Sequence, residues 1–127
     1  MEAKGVILKE SRFSVKETTD RIYGFLMKNG ITVYARINQQ SEVGKKGIGI
    51  KPLEFLLFGN PLKGGNIIAF NPLAAIDLPL KLIVWQDDNR KVWVAYNDAL
   101  YLKNRFGLSD GLARLADLSQ VVQMALQ

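Results

Sequence analysis

The sequence predicts an α+β domain, one largely antiparallel sheet with its long helices on one face. Three observations point there. Residues 80–97 alternate in period two around Asp87-Asp88-Asn89-Arg90, the pattern of a β-hairpin. Leu53 to Phe58 reads as a short apolar run, a strand buried on both faces. Two stretches, Val15–Leu26 and Leu112–Leu126, carry apolar residues at helical spacing instead.

Taken in order, residues 4–11 are apolar and β-branched enough for a first strand. Ser14 and Glu17 form a capping box that opens a helix, and Asn29-Gly30 closes it, with Gly30 suited to a left-handed conformation. Ile31 to Asn38 alternates as a second strand, placing Ile31, Val33, Ala35 and Ile37 inward and Thr32, Tyr34, Arg36 and Asn38 outward. Residues 39–51 are polar and glycine-bearing, a loop or a short frayed helix. After the buried strand, Gly64-Gly65 opens a short helix through Phe70, and Pro72 suits the first turn of another ending at Ile76.

The hairpin then admits two registers. A two-residue turn at Asp88-Asn89 sets Trp93 beside Val84 and Asn97 beside Leu80. A three-residue loop, with Asn89 or Arg90 left-handed, gathers Leu80, Leu82, Val84, Val94 and Tyr96 on one face. It leaves Lys81, Ile83, Trp85, Trp93, Ala95 and Asn97 on the other. The second register is preferred because it separates aliphatic from amphipathic side chains. Asp98 caps a helix from Ala99 to Phe106, closed by Gly107, and Ser109 caps a last helix with Leu112, Leu115, Leu118, Val122 and Leu126 along one stripe.

A length of 127 residues suits a single domain, 1–127, with a sizeable core. No apolar run approaches the length of a membrane span, and the first residues lack the apolar core of a signal peptide, so the expected location is cytoplasmic. The chain has neither Cys nor His. That excludes disulfides, thiol nucleophiles, thiolate or imidazole metal sites and any His base; acid–base work falls to Asp, Glu, Lys or Tyr. No cofactor and no metal is expected. The net charge of +5 is scattered, with its densest patch at Lys45, Lys46 and Lys51, and fits solubility better than nucleic-acid binding.

Gly59-Asn60-Pro61-Leu62-Lys63-Gly64-Gly65 resembles a phosphate loop but lacks the Lys-Ser/Thr that must follow the second spaced glycine. A tight strand-to-helix turn explains it better than an anion site using Lys63. Asp77, between apolar residues, is a general base or ligand anchor, or, more simply, a carboxylate bonded by amides of the 59–61 turn or paired with Arg36. Tyr96, Asn97 and Asp98 bring a phenol, an amide and a carboxylate to one strand end; Asp98 as a helix cap and Tyr96 in the core is the simpler account. The face opposite the helices is expected to carry Tyr34, Arg36, Lys81, Trp85 and Trp93, an interface, a nucleobase stack, a pocket wall, or a surface covered by loop 39–51.

Phe58-Gly59-Asn60-Pro61, AAIDLPLKLIVWQDD at 74–88 and VWVAYNDALYLKNRFGL at 92–108 together resemble the prokaryotic domain of unknown function 302 family, most strongly over 4–108. The resemblance implies a β-α-β(4)-α fold like that of the TATA-binding protein, and no known reaction. The family pattern often carries Asp-His where this chain has Asn38-Gln39, and His where it has Phe106. Any ligand, metal or proton role of those histidines is absent here or met differently. The reading that follows is a non-catalytic, homodimeric small-ligand or partner-binding domain, with Asn60, Asp77, Tyr96 and Asn97 as candidate contacts for a small anionic or polar ligand. The alternatives are a weak nucleic-acid binder using Tyr34, Arg36, Trp85 and Trp93, and an enzyme using Asp77 with Tyr96.

Overall fold

The computed structural model describes residues 2–127. Five strands form one antiparallel sheet: β1 (Val6–Ser11), β2 (Thr32–Asn38), β3 (Leu53–Gly59), β4 (Leu80–Gln86) and β5 (Val92–Asn97), in the spatial order β1-β5-β4-β3-β2. The long helix α1 (Val15–Lys28) runs between β1 and β2. Ser14 Oγ accepts from the Glu17 amide at 3.1 Å, half of the expected capping box, while the Glu17 carboxylate turns to Arg21 instead. Gly30 at φ 69° lets the Ile31 amide reach back to the Leu26 carbonyl and end the helix.

Residues 39–51 do contain a short helix, α2 (Gln39–Gly44), started by the Asn38 side chain. The next helix begins earlier than glycine placement suggests. Asn60 Oδ1 accepts from the amides of Leu62 and Lys63, so α3 (Pro61–Phe70) starts at Pro61 and runs through Gly64-Gly65. A 3-10 turn over Pro72–Ile76 follows. Helix α4 (Ala99–Phe106) is capped by Asp98 and closed by Gly107 at φ 66°. The expected last helix is two, α5 (Asp110–Arg114) and α6 (Ser119–Ala125). Its stripe survives the break, because Asp117 accepts from both the backbone and the hydroxyl of Ser119 and restarts the chain as a helix.

The hairpin adopts the three-residue loop. Val84 opposes Val94, Trp85 opposes Trp93, and Arg90 takes the left-handed conformation at φ 64°. Leu56, Phe58, Leu82, Val84, Val94 and Tyr96 therefore share the helix face, where Ile22 and Leu26 of α1 and Val122 of α6 complete the main core. A second cluster, Ile67, Ala74, Leu102, Phe106, Leu108 and Ala116, ties the shorter helices together beyond the sheet end.

Candidate functional site

Strand β2 does not alternate throughout. Val33 pairs with Phe58 but Ala35 pairs with Leu57, so one extra residue, Tyr34, sits in a bulge. Past the bulge the faces exchange: Ala35 and Ile37 turn outward, and Arg36 turns to the helix side. This corrects the placement of Arg36 on the open face. Its Nη1 donates to Asp20 of α1 at 2.7 Å and its Nε to Glu54 of β3 at 3.1 Å. Lys16 joins Asp20 at 2.9 Å, which completes a chain of alternating charge, Lys16–Asp20–Arg36–Glu54. Hydrogen bonds from Lys16 and Arg36 hold the Asp20 carboxyl below the ordinary carboxylate range. Burial pulls the Arg36 guanidinium down, but its bonds to Asp20 and Glu54 outweigh burial and leave it above the ordinary arginine value.

Glu54 is buried at 8% exposure. It stands second in the stretch read above as apolar, and a lone charge there is the signal that finds it, since a buried carboxylate requires a partner. The register supplies that partner from the neighbouring strand.

The four candidate ligand contacts do not converge. The Asn60 side chain is occupied by the α3 cap. Asp77 pairs with neither Arg36 nor the 59–61 turn; Arg105 Nη1 of α4 donates to its Oδ2 at 3.0 Å. Tyr96 lies on the helix face within the main core, where burial, with Asp117 and Asp98 nearby, pushes its phenol above the ordinary value. Asn97 is its neighbour in the strand and so projects from the opposite face. Asn60 does line a cleft of about 170 Å³, with Tyr34, Lys63, Ile67, Pro79 and Leu115.

Lys81, Trp85 and Trp93 lie on the open face as expected. Tyr34 stands apart from the tryptophans: its bulge sits beside Leu57, the partner of Lys81, four residues along β4 from Trp85, or about 13 Å. By register the open face also carries Leu8, Ile37, Leu53, Phe55, Leu57, Ile83 and Ala95. Phe55 and Ala95 are buried, yet no residue of this face belongs to either hydrophobic cluster. Lys81 Nζ sits 4.3 Å from the Phe55 ring centroid, its charge directed at a π face.

Asp87 braces one end of this face. Its Oδ1 accepts from the amides of Asn89 and Lys91, and its Oδ2 from Trp93 Nε1 at 3.0 Å. The indole bond first, and the two amides after it, hold its carboxyl below the ordinary value. A depressed folded pKa stabilises the fold fully above the unfolded carboxylate value of about 3.9, and that contribution is lost as pH falls through the folded value. Tryptophan emission is therefore expected to change in acid, below about pH 4, ahead of loss of helix signal. Asp87→Asn should abolish that early step, and an unchanged step in the variant would count against the assignment.

Comparison with known proteins places this geometry. The family model described as "Domain of unknown function DUF302" matches residues 7–125. A solved structure of an uncharacterized conserved DUF302 protein from Bacillus stearothermophilus is similar in fold, with a TM-score of 0.79 at 21% identity over 98% of this chain and 97% of that one. Among curated proteins, the chain is 33% identical over 111 residues to "Fluoride-specific ion channel FluC 1" of Brucella suis, and equally to its namesake from Brucella abortus. Those matches cover 86% of this chain but only 44% and 41% of the relatives, so the chain spans less than half of their length. No helix among the described residues is long and apolar enough to cross a membrane. With its model matched from β1 to the end of α6 and the fold shared throughout, the chain belongs to the DUF302 family.

Proposed function

We propose that this chain is a non-catalytic, partner-binding domain that works as a homodimer, two copies meeting through the open sheet face. One observation carries the reading: the sheet face opposite α1 and α6 is apolar as well. An antiparallel sheet facing water on one side ordinarily alternates apolar with polar residues. Here Phe55, Ile83, Trp85 and Trp93 occupy the positions where polar residues belong.

Size agrees. Five strands about 4.8 Å apart and about 20 Å long present on the order of 500 Å² in projection. Two such faces together bury about 1,000 Å², the lower bound of a specific interface. A second copy is the natural occupant because a face of this kind is self-complementary under a two-fold axis, with no large charge to repel its twin. Partner binding also suits the Brucella relatives, in which the matched segment is less than half of a chain named as an ion channel.

The other readings have less support. Nucleic-acid binding leaned on Arg36, which faces the helices, and Lys81 alone gives phosphates little to hold. Catalysis by Asp77 with Tyr96 requires the two to share a cavity, whereas Asp77 is paired with Arg105 and Tyr96 lies in the core.

Light scattering through a dilution series, with tryptophan emission recorded alongside, tests the proposal. The expected mass is twice 14.2 kDa, with emission shifting red as the dimer dissociates. A mass of 14.2 kDa at high concentration, with tryptophans open to a soluble quencher, would sink it.

A further inference from the structure

Where the sheet ends against the shorter helices, α3, the segment before β4 and the end of α5 border the cleft of about 170 Å³ that Asn60 lines. Its apolar walls include Ile67, Leu78, Leu80 and Leu115, side chains that belong to the second hydrophobic cluster or pack against it. A cavity of roughly 150 Å³ with aliphatic walls takes up benzene, so this cleft has room for a single aromatic ring.

One wall has no side chains. Gly64 and Gly65 stand side by side in α3 and both line the cleft, as does Gly59 just before the helix. Glycine weakens a helix interior relative to alanine, so a consecutive pair calls for a reason. Conformation does not supply it, since neither takes a positive φ. Close packing does not supply it either: a Cβ added at Gly59, Gly64 or Gly65 would meet no atom within 4 Å. What the pair provides is bare peptide surface beside open space, where a ligand can approach the backbone closely.

The polar side chains at the cleft, Tyr34, Asn60 and Lys63, all have donors to offer, and no acidic side chain lines it. Asn60 Oδ1 is taken by the Leu62 and Lys63 amides at 2.9 and 3.3 Å, which turns its Nδ2 away from those amides. Lys63 has no carboxylate within ion-pair distance among the described residues. The helix end itself adds nothing, because the Gly64 amide is already bonded to the Asn60 carbonyl at 2.9 Å.

A cation would find no counter-charge in this cleft, and a wholly apolar ligand would leave Lys63 and Asn60 unanswered. We propose that the cleft binds a one-ring aromatic carboxylate, its ring lying on the Gly64-Gly65 backbone and its carboxylate accepting from Lys63 Nζ and Asn60 Nδ2. The site uses none of Ile83, Trp85 and Trp93 and does not depend on dimerisation.

Calorimetric titration of the full chain with benzoate and phenylacetate tests the proposal, each paired with its neutral amide, and with acetate as the acid that lacks a ring. At least one of the two aromatic acids should bind saturably, one per chain. Its amide should bind about tenfold or more weakly, as expected for loss of a charge-assisted hydrogen bond, and acetate should give no saturable heat. Lys63→Met should weaken binding by about the same factor. Gly64→Leu fills the space where the ring lies and should abolish binding without lowering the thermal midpoint, since its Cβ meets no neighbour. Should that variant fail to fold, the ligand series on the unaltered chain decides. Absence of saturable binding by either aromatic acid overturns the proposal, as does equal binding of the amide or of acetate, or undiminished binding by either folded variant. Light scattering on the same samples reads the dimer independently, so ligand binding and self-association can fail separately.

Discussion

Phe58→Ala is expected to cost about 3–5 kcal/mol of folding stability, the range for truncating a buried aromatic side chain. Phe58 is 1% exposed and one of the largest fully buried side chains. It projects from β3 onto the helix face between Val33 of β2 and Leu80 of β4 by register, within the core that α1 and α6 close. Removing the ring loses its transfer free energy and leaves a hole that sheet and helices cannot both collapse to fill. Against a typical total of about 5–15 kcal/mol, that is a large fraction of the fold's stability. Urea denaturation followed by circular dichroism should show a midpoint well below that of the parent with an unchanged slope. Phe55→Ala, one pleat over and three residues earlier, makes the instructive comparison. In a single copy Phe55 has sheet neighbours and Lys81 over its ring but belongs to neither core cluster, so its loss should cost clearly less. Equal costs at concentrations where the chain is monomeric would mean that the two faces are not energetically distinct.

Ile83→Lys is expected to weaken self-association at least about 100-fold, roughly 2.7 kcal/mol, while leaving the single copy folded. Ile83 lies on β4, the middle strand, between Phe55 and Ala95 across the register. In one copy the lysine stem can lie along these neighbours with its ammonium in water, so stability should move by no more than about 1 kcal/mol. In a two-fold dimer a central position lies near the axis, and two ammonium groups would be desolvated against each other. Light scattering of the variant at the parent's dimeric concentration should return the monomer mass, with an unfolding midpoint close to that of the parent monomer. A variant that stays dimeric would move the interface off this face.

Much of the fold was legible because its signals are short-ranged. The Ser14 cap, the left-handed Gly30, the Asp98 cap and the Gly107 stop each act within a turn of the helix they bound, so the residue types locate them directly. The hairpin register followed from amphipathic separation alone, and with it the opposition of Trp85 to Trp93 on the open face. Asn60 could likewise have been read as a helix cap just ahead of Pro61, which places α3 where it begins.

Side-chain partners across the fold were not legible in the same way. Asp77 meets Arg105, 28 residues on, because the turn before β4 and the end of α4 pack together. Arg36 meets Glu54 and Asp20 because a single residue, Tyr34, bulges from β2 and exchanges the faces beyond it. By itself the sequence determined which segments are helix and strand, where most of them stop, and that one sheet would carry apolar residues on both sides. The tertiary structure decided which charges meet. Capping and alternation are set by neighbours within a few residues, whereas a one-residue bulge reverses every side chain after it, and only the strand pairing reveals where it falls.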